Sequence, residues 1–435
     1  MRSPRPPFLW LLEKESRELI ASKAWWVLLL LMGPLVGMSF ISSVRTYAEV
    51  SVGGGQALSP LIGVWAPTFS ACELAAVFLL PFVAIRLVAG DRESGALKLE
   101  LQQGLSSFTR IAAKAIVLLG GWIVAMLPPL TAVLLWKSHG GSVYPPELFT
   151  VAIGHMLNAG LTIGLAAAMA SLTEHHSTAA ILTLSVTIGT WIISFAGAVE
   201  GGWWERASGY TPAAMVSEFQ HGLVQLDVLL IALILALTGL ALSGIWMRLG
   251  VPVRQRSLES AALVLLATGA IFASSFLHAN WDFSENRGNS FPEPDERALR
   301  QIHAPLLIEI HLAPEDPRRS DLEAHAVSKL RWLLPHLKVR YVAATSTGLF
   351  EQTSSGYGEI WYQIGDRKTM TRATTAESAL EAIYSLARIT PPVESDEAFR
   401  GHPLAAPTTG ASILFYLVWP GLFLAIGILA RRRLK

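Results

Sequence analysis

Eight stretches of this chain are apolar over a length that a soluble domain rarely needs. A helix requires roughly 20 apolar residues to cross the hydrocarbon core of a bilayer. Segments of that kind run over residues 24–44, 71–89, 111–136, 150–172, 177–199, 227–247, 259–278 and 411–430. The fourth and fifth are separated only by Thr173, Glu174, His175 and His176. Charged residues make up 15% of the chain, against about 25% in an average soluble domain. The sequence therefore predicts a polytopic α-helical membrane protein of about eight spans.

Lysine and arginine placement sets the expected orientation, because loops rich in these residues stay on the cytoplasmic side. The N-terminus carries Arg2, Arg5, Lys14, Arg17 and Lys23. Arg92, Lys98, Arg110 and Lys114 follow the second stretch, Arg248, Arg254 and Arg256 follow the sixth, and the chain ends Arg431-Arg432-Arg433-Leu434-Lys435. The alternate loops hold only Arg45, Lys137 and Arg206. Both termini are expected in the cytoplasm of a cell with this protein in its cytoplasmic, or inner, membrane. The first stretch is too long for a signal-peptide core, and no small-x-small cleavage site follows it. Before it, Phe8, Leu9, Leu12, Leu19 and Ile20 gather near one helical face, with Glu13, Lys14, Arg17 and Glu18 elsewhere, as in a helix lying on a membrane surface.

Residues 1–250 form the expected six-span unit with its interfacial helix, and 251–280 a basic linker and seventh span. Residues 281–410 read as a small extracytoplasmic α/β domain, and 411–435 as the eighth span and basic tail. Within the domain, Leu306, Ile308, Ile310 and Leu312 alternate as in a strand. Ser320 with Glu323 resembles a capping box, opening a helix with Leu322, Ala326, Leu330 and Leu333 on one face and Pro335 at its end. Leu337, Val339, Tyr341 and Ala343 predict a second strand, and residues 359–364, Gly365-Asp366 and 367–371 a hairpin. Thr374 with Glu377 signals another helix, burying Leu380, Ile383, Tyr384 and Ala387. Residues 280–296 and 391–407 read as linkers.

Several chemistries are excluded by pattern. The phosphate-binding loop GxxxxGK[ST] is absent, as are HExxH, CxxC and GxSxG motifs. Cys72 is the single cysteine, so no intrachain disulfide forms. His175 and His176 are adjacent and point to different faces of a helix, which does not make a metal site. The net charge of +1 implies no nucleic-acid partner. No catalytic residue, cofactor or metal is expected. His155 and Asn158, one helical turn apart in the fourth stretch, and Glu73 in the second are candidate pathway-lining residues, since polar groups at such depth face a bundle interior. Pro128-Pro129 should kink the third stretch. Trp203, Trp204, Tyr210 and Phe219 suit an interfacial belt.

The segment Asp91-Arg92-Glu93-Ser94-Gly95-Ala96-Leu97-Lys98-Leu99-Glu100-Leu101 places Leu97, Leu101 and Leu105 on one helical face among charges, a natural docking surface for a soluble partner. Together with six spans, an interfacial helix and a downstream Lys114, it resembles the permease subunit of a type-2 ABC transporter. That resemblance implies a coupling helix contacting a separate ATPase subunit, with Arg92, Glu93, Gly95, Leu97, Leu101 and Lys114 at the docking site. Gln103-Gly104 stands where the family has a Leu-Pro pair. Tyr210-Thr211-Pro212 with Phe219, His221, Gly222 and Asp227 is similar to permeases of the copper-maturation and gliding-motility kind. Asn289-Ser290-Phe291, Asp295-Glu296, His311 to Pro317 and Gly401-His402-Pro403-Leu404 resemble the auxiliary extracytoplasmic domain of gliding-type systems. The resemblance implies ATP bound by the partner subunit, pairing with a second permease copy or a paralogue, and export. Two alternatives stand beside it: an envelope assembly or adhesion factor working through its outer domain, and an intramembrane enzyme using His155, His175 or Glu73.

Overall fold

The computed structural model describes residues 7–52, 59–93, 105–200, 203–277, 279–285, 287–313, 316–334, 336–342, 356–392 and 408–434. Among them, eight helices are long and apolar enough to cross a membrane. In order, the first to eighth helices, they are Lys23–Val50, Leu61–Asp91, Ser107–Ser138, Pro145–Leu172, His176–Gly197, Leu226–Trp246, Val253–Ser274 and Thr408–Ala430. They fall at the eight places expected from the sequence. The second begins at Leu61 rather than residue 71, because Pro60 and Pro67 sit in the first turns of helical pieces, where a missing N–H costs nothing. The third is broken where Pro128-Pro129 predicts: Ser107–Ala125 and Leu127–Ser138 meet at Met126, whose backbone (φ −83°, ψ 3°) leaves the helical region.

Close approach in this bundle depends on glycine. A β-carbon on Gly164 of the fourth helix would run into the backbone of Ala236, and one on Gly239 of the sixth into the backbone of Gly164. Gly33 and Gly37 of the first helix likewise lie against Trp419 and Phe415 of the eighth. The Trp419 indole N–H donates to the Leu29 carbonyl at 2.8 Å. Small residues let helix backbones meet, which matters where lipid offers apolar side chains no reason to leave it.

By its internal contacts the chain divides into two compact units. One comprises Met1–Gly197, Trp204–Trp281 and Arg400–Lys435, so it holds all eight long helices; the other is essentially Asp282–Phe399. The first unit also contains the short helices Trp203–Ser208 and Pro212–Gln220 and the strand β1 (Leu223–Gln225), which pairs with β2 (Asn280–Asp282).

The second unit is built on β3 (Leu306–Ile310), β4 (Lys338–Tyr341), β5 (Ile360–Ile364) and β6 (Arg367–Thr371), in the sheet order β4-β3-β5-β6. β3 and β4 are parallel, joined through a helical crossover; the other pairs are antiparallel. Alternation places Leu306, Ile308, Ile310, Ile360, Tyr362 and Ile364 in the core, with Leu322, Leu330, Leu380 and Ile383 from the helices. Leu307, Glu309, Lys338, Arg340, Trp361 and Lys368 occupy the opposite face, where none is fully buried.

Three local expectations are corrected. The crossover helix starts at Pro317, capped by Asp316, whose carboxylate accepts from the Arg318 N–H at 3.0 Å; Ser320 lies inside it. The later helix is capped by Thr375, one residue beyond Thr374. The stretch 280–296, expected as a linker, is ordered around a carboxylate: Asp282 accepts from the Asn289 N–H at 3.1 Å and the Ser290 hydroxyl at 2.7 Å, and Glu293–Leu299 is helical. Residues 393–407 of the other expected linker lie outside the described residues.

Candidate functional site

Five charged side chains meet where the N-terminal helix Pro7–Ala21, the second helix and the start of the third come together. Glu15, Asp91 and Lys114 are 0, 2 and 1% exposed. Such burial is tolerable only when every charge is matched. The Lys114 ammonium has three hydrogens and three acceptors: Glu15 Oε2 at 2.6 Å, Asp91 Oδ2 at 2.7 Å and the Leu87 carbonyl at 2.8 Å. Lys14 closes the group from the outer side, at 2.9 Å from Asp91 Oδ1, 3.3 Å from Glu15 Oε1 and 3.2 Å from Glu18 Oε1. Glu15, Glu18 and Asp91 stand close enough to share a cation; the Lys14 ammonium is the cation among them.

Local sequence explains how the parts are presented. Ser106 caps the third helix, accepting from the Thr109 N–H at 3.0 Å. Lys114 follows two turns later and, being long, reaches across to the N-terminal helix. That helix buries the row Leu11, Glu15 and Leu19. Leu9 and Ile20, expected on its apolar face, are exposed. The inward face is thus narrower than hydropathy alone suggests, and a carboxylate lies at its centre. Glu15 was the signal that pattern reading passed over: it sits four residues from Leu11 and four from Leu19, on an otherwise apolar row.

The expected docking residues are divided by the described region. Gly95, Leu97 and Leu101 lie outside it; Arg92 and Glu93 end the helical piece Leu80–Glu93, with side chains outside it. Lys114 is enclosed, and its charge is engaged by Glu15 and Asp91. The structure therefore defines the two helices that flank residues 94–104 and the ion cluster joining them.

The candidate pathway residues sit elsewhere in the bundle. His155 is fully buried and stacked on Phe69, ring centroids 5.7 Å apart. Its Nε2 lies 3.3 Å from the Gln220 amide, while Nδ1 has no hydrogen-bond partner among the described residues. Asn158 is 4% exposed and Glu73 half-buried. Next to His155 the helix Pro212–Gln220 packs on the fourth helix, with Gly154 admitting Phe219. Thr211 caps that helix and shares a hydrogen bond with Ser194 at 2.8 Å. Burial and the neighbouring Asp227 charge push the Glu218 carboxyl up to about 7.

Comparison with protein-family models, curated proteins and solved structures gave no match.

Proposed function

We propose that this chain is the membrane-spanning permease subunit of an ATP-driven ABC transporter, an exporter energised by a separate ATPase subunit. The observation that carries the reading is the buried cluster of Glu15, Asp91 and Lys114. It ties three helices together on both sides of residues 94–104, the segment read as the coupling helix. A force applied there reaches the second helix through Asp91, the third through Lys114 and the N-terminal helix through Glu15. Unpaired, any of these charges would be costly; paired, they make a stiff junction of the kind a docking segment needs.

In this proposal eight helices span the cell membrane with both termini cytoplasmic. Residues 281–410 lie outside the cytoplasm as a gliding-type auxiliary domain, and a second permease copy or a paralogue completes the pathway. ATP binds the partner subunit, and no cofactor belongs to this chain. His155, Asn158 and Glu73 remain the proposed pathway residues.

One observation favours a second reading, an envelope assembly or adhesion factor. Among the described residues, no helix covers the face of the four-stranded sheet that carries Arg340, Lys368 and Trp361, a surface fit for an extracytoplasmic partner. Affinity purification of the full chain from detergent, with mass spectrometry of what accompanies it, separates the two. An ATPase subunit recovered with the wild type and lost with the double variant Glu93→Lys, Leu97→Asp supports the permease. Recovery of envelope proteins alone, unaffected by that variant, supports the assembly factor.

A further inference from the structure

Beside the ion cluster lies a cavity of about 670 Å³, walled by the N-terminal helix, the second helix and the start of the fifth. Its lining has two characters. Leu19, Phe82 and Ala180 are apolar, whereas Ser22, Arg86, Glu18, Asp91 and His176 are polar. Phe82 is 46% exposed, one turn below the exposed Arg86 on the same helix.

Among the described residues, two polar groups here lack partners. The Ser22 hydroxyl is 7% exposed and makes no hydrogen bond, an arrangement that costs free energy unless a ligand supplies the missing contact. The Arg86 guanidinium carries five N–H donors and forms no ion pair among the described residues. Arg86 precedes Asp91 of the ion cluster by five residues on the same helix, about 7 Å along the axis. In the membrane reading, its nearness to that buried charge cluster sets Arg86 toward the headgroups rather than among the acyl chains.

The charge balance narrows the ligand. Lys14, Lys114 and Arg86 oppose Glu15, Glu18 and Asp91, three against three. Of the described lysines and arginines here, Lys14 and Lys114 are held among the carboxylates, which leaves Arg86 open to a ligand. Among the described residues Glu18 pairs only with Lys14, through Oε1, and its side chain is 40% exposed, which leaves it as the open anion. A ligand with a phosphate, a nearby ammonium and an apolar tail meets all three parts of the lining. An anionic headgroup without the ammonium would place a second negative charge beside Glu18.

We propose that this cavity binds a zwitterionic phospholipid with a primary-ammonium headgroup. Its phosphate lies on Arg86 and Ser22, its ammonium on Glu18, and an acyl chain runs over Leu19, Phe82 and Ala180. The inference rests on the membrane-protein reading above, not on the ATPase partner.

The test is native mass spectrometry of the full chain in detergent, titrated separately with phosphatidylethanolamine, phosphatidylglycerol and inorganic phosphate. The wild type is expected to hold phosphatidylethanolamine roughly tenfold more tightly than phosphatidylglycerol, and inorganic phosphate not at all. Arg86→Gln should abolish the preference, and Glu18→Gln should narrow it by favouring phosphatidylglycerol. Ser22→Val, which breaks no existing hydrogen bond, should weaken phosphatidylethanolamine binding without lowering thermal stability, and stands in if Arg86→Gln misfolds. Equal binding of the two lipids by the wild type overturns the proposal, as does unchanged binding by Arg86→Gln or by Ser22→Val. Release of the protein from membranes by alkaline carbonate would sink the membrane reading and this inference together; retention without lipid preference sinks this inference alone.

Discussion

The first four long helices and the last four are similarly apolar in sequence but differently placed in the fold. In the first four, 56, 67, 50 and 50% of the most apolar window is buried; in the last four, 17, 22, 11 and 22%. Hydropathy therefore identifies what can enter a bilayer and says little about what lies inside the bundle. The difference follows from chemistry other than apolarity. The covered half contains the ion cluster, the small residues Ala71, Ala75, Ala76, Ala166 and Ala167 at its contacts, and Trp65 and Trp136 in edge-to-face contact at 5.8 Å. The bare half turns Ile192, Phe195, Leu265, Leu266 and Leu417 outward, each more than half exposed. Between helices in lipid, packing and polar contacts drive association. The fifth helix has little of either; the sixth lies along the fourth, where Gly239 meets Gly164, and the eighth joins the bundle through its aromatic contacts with Gly33 and Gly37.

The comparison breaks most readily at its charged centre. Lys114→Met leaves Glu15 and Asp91 buried with only Lys14 between them, and should cost about 3–5 kcal/mol. Thermal unfolding in detergent should show a large drop, with partial recovery when Glu15→Leu is added; an unchanged midpoint would mean the cluster is not formed. Gly164→Val forces the fourth and sixth helices apart and should cost about 1–3 kcal/mol by overpacking, readable in the same assay, whereas Gly269→Val, at a position with open space around it, should do far less.

A smaller effect belongs to the sheet unit, whose charges are at the surface. The Arg318 guanidinium, with help from Tyr357, holds the Asp316 carboxyl at about 2, against about 3.9 in an unfolded chain. The folded group is the stronger acid, so its stabilisation is complete above pH ~4 and is lost as pH falls toward 2. Hydrogen exchange over β3 to β5 in the full chain, corrected for intrinsic rates, should show this acid-limb loss in the wild type and less of it in Asp316→Asn. The smallest effect is expected on the bare half: Leu265→Ala with Leu266→Ala should shift stability by no more than about 0.5 kcal/mol. A large loss there would show that those side chains are covered in the working protein, and co-purification of differently tagged copies would tell whether another copy covers them.

What could be seen in the sequence was whatever depends on neighbours along the chain. The apolar stretches, the Pro128-Pro129 break and the alternation in β3 and β4 are local patterns, and they reappear in place. The Lys114–Glu15 contact joins residues 99 apart, and no periodicity reports such a pairing. Asp91 was visible only as part of an acidic-basic run; its inward direction depends on Lys114. Competing local signals explain the shifted cap: Ser320 and Glu323 have capping-box spacing, but Asp316 followed by Pro317 is the stronger start, because proline is pre-set for a first helical turn. The ordered Asp282 turn was missed because its residue types, Ser, Asn and Gly, are also those of a linker.

The contact of Trp419 with Leu29 links residues 390 apart, and so sets a timetable for biosynthesis. The ribosome delivers the first helix early and the eighth last. At about 5–20 residues per second, the groove at Gly33 and Gly37 waits roughly 20–80 s for Phe415 and Trp419. During that interval lipid or an insertion factor must cover it, and a chain truncated before residue 408 would carry the groove permanently unfilled, marking it for quality control.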